Sequence, residues 1–257
     1  MLDSKGVKTP MVSTCKLLKQ GNEYLSNPSH YRSIVGVLHY ATLTRPNICY
    51  VVNKVCQFMA EPLQEHWQAV KHILKYLSGT VKYGIVIRPI PLSTIPLPIS
   101  AYCDADWASD PNDRKSTSGS CILLGTNVVS WWSRKQLRVA RSSTEAEYRS
   151  LADTTVGLLW IQFLLKELQV PFSIPRVYCD NLSTVQLAHN PVLHSRIKHM
   201  EIDLFFVREK VLLKQLTVYH IPSLHQIADV LTKPLSSSRF IDLKTKLSVI
   251  EYPNKSP

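Results

Sequence analysis

Residues 87–98, IRPIPLSTIPLP, hold four prolines between Pro89 and Pro98. Proline fixes φ and removes a backbone donor, so such a stretch resists both a helix interior and a central strand. The chain is therefore expected to change character here. The apolar periodicity changes from helical to alternating across it. The domain organisation that follows is an irregular segment 1–29, a helical region 30–88, a proline-rich linker 89–98, an α/β domain 99–235 and a C-terminal tail 236–257 with room for one helix.

Upstream of the prolines, Ile34, Val35, Leu38 and Thr42 share one helical face from about His30 onward. The segment TRPNICYVVNKVCQFM restarts a helix, with Pro46 suited to its first turn. A third helix is expected over about 63–78, with Trp67, Val70, Ile73, Leu74 and Leu77 as its stripe and Gly79 just past its end.

Downstream, residues 99–107, GSCILLG and VVSWWSR read as three strands. A long helix follows over about 143–168. Thr144 is read as its N-cap, with Glu147 three residues on completing a capping box, and Leu158, Leu159, Leu164, Leu165 and Leu168 are read as its core. RVYCD is a fourth strand and NLSTVQLAHN a helix. A further helix covers about 200–214, TVYHI is a last strand and HQIADVLTK a last helix. The order βββαβααβα predicts an α/β fold with a mixed central sheet.

The formal net charge of +11 and pI of about 9.4 favour an anionic partner, nucleic acid first among them, because Lys and Arg neutralise phosphates and release counterions. The six cysteines form no CxxC pair and no zinc-like spacing. Three lie in apolar runs, where Cys acts as a small core residue. No segment has the apolar length needed to span a bilayer, and MLDSKGVKTP lacks the apolar block of a signal peptide. These features predict an intracellular protein, cytoplasmic or nuclear.

The acids of the second region carry the chemistry. Asp104 lies on the first strand, with Asp106 on the same face. Glu145 lies in the first turn of the long helix. Asp180 ends the fourth strand, where open α/β sheets place ligands. Asp229 lies near the final helix. Acids that converge at one sheet edge repel unless cations neutralise them, and hard oxygen ligands suit Mg²⁺ or Mn²⁺. Two such ions can clamp the attacking and leaving oxygens of a phosphodiester. Taken singly, each acid reads equally as a cap, a turn residue or a surface charge.

In order, the blocks YCDADWASD, RKSTSGSCILLG, VSWWSRKQ, SSTEAEYRSLAD, LLKEL, YCDN, RIKHMEID and QIADVLTKPL resemble the ribonuclease H domain of copia-type retrotransposon Pol polyproteins. HYRSIVGVLHYATLTRPNICYVVNKVCQFM and HWQAVKHILKYLSGTVKYGI resemble the connection or thumb segment that precedes it. The resemblance implies a ribonuclease H-like fold that hydrolyses the RNA strand of an RNA–DNA hybrid with two Mg²⁺ or Mn²⁺ ions. It assigns catalysis and metal binding to Asp104, Glu145, Asp180 and Asp229, with Glu147 as the alternative to Glu145.

Asn181, Arg134, Lys135, Arg196, Lys198 and His199 are the candidate nucleic-acid contacts, and Arg138 and Arg141 belong to the same basic cluster as Arg134 and Lys135. His225 stands as an auxiliary group or a surface residue. No YxDD turn occurs, so polymerase activity is not expected from this chain alone, and the polymerase part of a Pol protein is a candidate partner. The competing reading is a catalytically silent nucleic-acid-binding or scaffold fragment of a decayed retroelement.

Overall fold

A computed structural model describes residues 6–21, 23–190 and 200–252. In chain order the elements are α1 (Pro28–Ala41), α2 (Cys49–Cys56), α3 (Gln64–Ser78), β1 (Tyr83–Ile85), β2 (Ile99–Asp106), β3 (Thr117–Leu124), β4 (Asn127–Lys135), α4 (Ser143–Glu167), β5 (Arg176–Cys179), α5 (Leu182–His189), α6 (Glu201–Leu212), β6 (Thr217–His220), α7 (Ser237–Lys246) and β7 (Val249–Glu251). They fall into two compact units. The first comprises Met1–Val86, Asp110–Arg114 and Lys233–Pro257, and the second Ile87–Ser109 and Lys115–Thr232. Among the described residues no helix is long and apolar enough to cross a membrane.

In the first unit, Asn27 caps α1 by accepting a hydrogen bond from His30 N at 3.0 Å, with Pro28 in the first turn. Tyr31, Val35 and Leu38 form the buried stripe, and the Tyr31 hydroxyl donates to Val55 O at 2.9 Å. Pro46 opens a short 3₁₀ turn that leads into α2. The buried face of α3 is His66, Val70, Ile73 and Tyr76. Its phase differs by one residue from the expected stripe, because His66 and Tyr76 enter the core through polar partners that hydropathy does not see. Gly79 follows the helix in a right-handed conformation, at φ −74°.

His66 Nδ1 accepts from Leu63 N at 2.9 Å. Its Nε2 lies 2.8 Å from Leu18 O, so the neutral ring with the proton on Nε2 satisfies both contacts. Burial lowers the pKa of this imidazole. A depressed folded-state pKa gives stability that is present above the ordinary imidazole range and is lost as pH falls through the lowered value. Acidification is therefore expected to destabilise the first unit. Denaturation midpoints at pH 7 and pH 5 should differ more in the wild type than in His66→Gln, and equal differences would contradict this.

The C-terminal tail is a correction. α7 and β7 belong to the first unit, where β7 pairs antiparallel with β1 through Tyr83↔Glu251, Gly84↔Ile250 and Ile85↔Val249. Phe240, Leu243 and Leu247 are buried, and the Phe240 ring meets Tyr76 edge-on at 5.7 Å. The proline-rich stretch also does not stand free, since it belongs to the second unit. There Arg88 N donates to Asn127 Oδ1 at 2.8 Å, and Leu97 N donates to Pro171 O at 2.8 Å.

The second unit is a five-stranded sheet in the order β4-β3-β2-β5-β6. β2–β3 and β3–β4 are antiparallel, whereas β2–β5 and β5–β6 are parallel. This is the mixed central sheet of an α/β fold that the order βββαβααβα predicts. Gly125, at φ +59°, makes the tight turn between β3 and β4, a conformation that glycine adopts at no steric cost.

Ile99, Ala101, Cys103 and Val177 pack with Tyr148, Leu151, Leu158 and Leu165 of α4 in one core. Leu164 and Leu168, read as core, are exposed, because they lie off this stripe. The expected last helix is instead a five-residue 3₁₀ turn, Ile227–Leu231, with every residue buried. Gln226 caps it by accepting from Ala228 N at 3.2 Å. Pro234 follows closely and opposes helical continuation.

Candidate active site

Asp104 sits on the central strand β2 and is 1% exposed. Asp180 directly follows β5, the parallel neighbour of β2. Asp229 comes from the 3₁₀ turn. These three carboxylates lie with ligand oxygens within 4.8 Å of one another. Thr232, at the end of that turn, donates its hydroxyl hydrogen to Asp104 Oδ2, and Gln226 Nε2 donates to Cys103 O at 2.9 Å. The turn is thus fastened to the strand on both sides of Asp229.

A glycine permits the approach. Gly119 of β3 lies opposite Asp104, and a Cβ there would stand 2.7 Å from both Leu231 Cβ and Thr232 Cγ2. Hydropathy gives no sign of this residue. Gly119→Ala is expected to push the turn away, costing about 1–3 kcal/mol, and to weaken divalent-ion binding. Urea denaturation and an ion titration check both parts, and wild-type behaviour in the two would contradict the packing argument.

The fourth acid near this group is Glu147, not Glu145. Glu147 is 6% exposed, and its carboxylate lies with Cys179 Sγ and Asp180 inside 4.8 Å. Burial raises its pKa well above the ordinary range, reinforced by the Asp104 charge and opposed by a hydrogen bond with the Ala105 backbone. Glu145 is committed elsewhere. Its Oε1 is 2.6 Å from Arg149 Nη2 and its Oε2 accepts from Arg141 N at 2.7 Å.

The reason is helical phase. Residues two apart on a helix are rotated by about 200°, so only one of the two glutamates can face the sheet. That face is set by Ser150, whose hydroxyl donates to Asp104 O at 2.9 Å. The N-cap is Ser142, whose Oγ accepts from Glu145 N at 3.1 Å. Glu145 is therefore held at the helix N-terminus, with its carboxylate on Arg141 N, and the expected Thr144–Glu147 box does not form.

Asn181 caps α5, accepting from Thr184 N at 2.9 Å, immediately beside Asp180. Arg134 is exposed and stacks over Trp132 at 5.2 Å. Lys135 ends β4. His225 is exposed on the turn Ser223–His225, ahead of Asp229. Arg196, Lys198 and His199 lie outside the described residues. Asp106, on the strand of Asp104, is not part of either acid group.

Carboxylates this close repel one another, so this donor set suits a hard divalent ion. The arrangement is an acidic cluster able to bind metal.

No family model matches the chain. It is 45% identical over 254 residues to the Retrovirus-related Pol polyprotein from transposon RE2 of Arabidopsis thaliana, across 98% of this chain and 17% of that protein. It is 46% identical to the corresponding protein from transposon RE1, with the same coverage. LC11-RNase H1, solved in complex with an RNA/DNA hybrid, aligns with 52% of this chain and 93% of its own at 19% identity and a TM-score of 0.39. The chain belongs to the Pol polyprotein family of copia-type retrotransposons, and spans 17% of the length of the relatives it matches.

Proposed function

We propose that the second unit is a ribonuclease H that hydrolyses the RNA strand of an RNA–DNA hybrid, with Asp104, Glu147, Asp180 and Asp229 holding two Mg²⁺ or Mn²⁺ ions. The observation that carries this reading is the mutual approach of Asp104, Asp180 and Asp229 within 4.8 Å, with buried Glu147 beside Asp180. The order of sequence blocks supports it, as does the identity with retrotransposon Pol proteins.

When bound, the ions supply an activated water and neutralise charge on the departing oxygen. The chain's own residues do the rest. Asp104, fixed by Thr232, is the rigid ligand at the sheet centre. Asp180, half-buried, faces the solvent side where the scissile phosphate enters. Glu147 holds a carboxylate whose ionisation is costly until a cation is present. Asn181 and the basic residues Arg134 and Lys135 lie in the same unit to bind the hybrid, whose RNA strand is distinguished by its 2′-hydroxyl.

The full chain is to be incubated with a labelled RNA–DNA hybrid, single-stranded RNA or duplex DNA, with Mg²⁺ or with chelator. The expected result is cutting of hybrid RNA alone, lost with chelator and in Asp180→Asn. Intact hybrid under all conditions, or equal cutting of single-stranded RNA, would overturn the proposal.

A further inference from the structure

The C-terminal half of α4 is apolar on both sides. Its sheet side carries Leu151, Leu158, Ile161 and Leu165 in the core, as a packed helix requires. Its outer side carries Val156, Trp160, Phe163 and Leu164 at helical spacing, with Leu168 at the C-cap, and all five are exposed. Trp160 and Phe163 are each 65% exposed. A surface helix normally turns polar groups to water, and one that is hydrophobic all round is buried on both sides. The outer side of α4 therefore reads as a second contact face.

A notch lies beside this ridge. Leu159, Gln162, Phe163 and Lys166, with Lys210 of α6 and Gln215 after it, line a cavity of about 180 Å³, room for one large side chain. Its two ammonium groups already stand against aromatic rings. Lys166 Nζ is 5.7 Å from the Phe163 centroid, and Lys210 Nζ is 5.8 Å from that of Phe206. Indole is the best aromatic partner for such cations, and Trp160 carries one on the adjoining ridge. Successive helix residues are turned by about 100°, so Trp160 points past the notch that Leu159 lines in its own chain. A two-fold axis would place each indole in the other copy's notch, the self-complementary arrangement of symmetric dimers.

The area agrees with this occupant. Aromatic side chains of about 150–250 Å², two-thirds exposed, and three aliphatic ones beside them make a patch of about 500 Å², near the upper end for a monomer. Two such faces would bury about 1,000 Å² together, the lower bound of a specific interface. The pair is therefore weak and depends on concentration.

We propose that the outer face of α4 pairs with the same face of a second copy of this chain, with Trp160 of each copy seated between Lys166 and Lys210 of the other.

Sedimentation velocity of the full chain, freed of nucleic acid, tests this from low to high micromolar concentration at low and high salt. The expected result is a reversible monomer–dimer equilibrium that strengthens with salt, because salt screens the repulsion between two chains of net charge +11. Trp160→Ala is expected to weaken association at least about 30-fold, as when an interface hot spot is lost, with an unchanged melting temperature because the side chain lies outside the core. Lys166→Gln/Lys210→Gln lowers the net charge, so relief of repulsion alone would strengthen the dimer. Loss of the indole contact should instead weaken it several-fold.

A wild type that stays monomeric throughout, or a dimer untouched by Trp160→Ala, would overturn the proposal. So would a dimer that salt dissociates, since ionic contacts would then hold it. Stronger association in the double lysine variant would overturn the seating of the indole. Hybrid cleavage by a strictly monomeric chain would leave the ribonuclease reading intact while this one fails.

Discussion

Glu147→Gln is expected to reduce hybrid cleavage by at least about 10²–10³-fold, the scale seen when one preorganised charged or polar group is removed from an active site. Glu145→Gln at saturating hybrid is expected to keep kcat within about one order of magnitude. The two residues differ only in helical phase, so the contrast isolates position from chemistry. Single-turnover rates on a labelled hybrid measure it, and the reverse ranking would show that α4 presents the other glutamate.

Misfolding is separable from the Glu147 effect. Its carboxyl has a raised pKa in the folded protein, mainly from burial. For a raised pKa, stability is complete below the ordinary carboxylate value and is lost as pH rises through the folded value. Metal-free wild type should therefore lose stability above the ordinary carboxylate range, while Glu147→Gln should not. A lower melting temperature for the variant at pH 7 would contradict the burial argument.

The second large effect lies in the first unit. Lys54 Nζ is 2.9 Å from Asp110 Oδ2, with side chains 9% and 1% exposed. Asp110 Oδ1 also accepts from Asn112 N at 2.8 Å and Asn112 Nδ2 at 3.0 Å. Asn112 in turn accepts from Lys19 N at 2.7 Å. Removing one charge strands the other in a buried site, which costs about 3–5 kcal/mol. Lys54→Met should therefore destabilise the protein by that amount in urea. Lys54→Met/Asp110→Leu should recover much of the loss, because a pair of apolar side chains leaves no buried charge. A cost below about 1 kcal/mol for the single variant would mean that the pair behaves as a solvated surface bridge.

Much of the second unit was readable from sequence, for identifiable reasons. The alternation in β2 to β4 and the long apolar pattern of α4 are local signals, and all four elements form close to their expected bounds. The choice between Glu145 and Glu147 was not readable. Both SSTE and TEAE fit a capping box, and placing the cap at Thr144 instead of Ser142 exchanges the structural and the site-facing glutamate. The sheet-side hydrogen bond from Ser150 to Asp104 O settles the phase, and it joins residues far apart in sequence.

The same limit hid the other corrections. β7 finds its partner β1 more than a hundred residues upstream, and a three-residue strand has no alternation to detect. HQIADVLTK has a helical pattern, yet fastening by Thr232 and Gln226 and the approach of Gly119 hold it as a tighter turn. None of those contacts is local. No local pattern marks Lys54 and Asp110, which lie 56 residues apart in sequence.

The most direct test is the position of bound ions. Crystals of the full chain grown with Mn²⁺ and a hybrid, in a cleavage-slowed Asp180→Asn form and in wild type with a non-cleavable hybrid, would locate manganese by anomalous scattering. The expected result in wild type is density at ligand distance, about 2.0–2.2 Å, from carboxylate oxygens of Asp104, Glu147, Asp180 and Asp229, weakened in the variant. Manganese bound to Glu145, or absent from these four acids, would contradict the account.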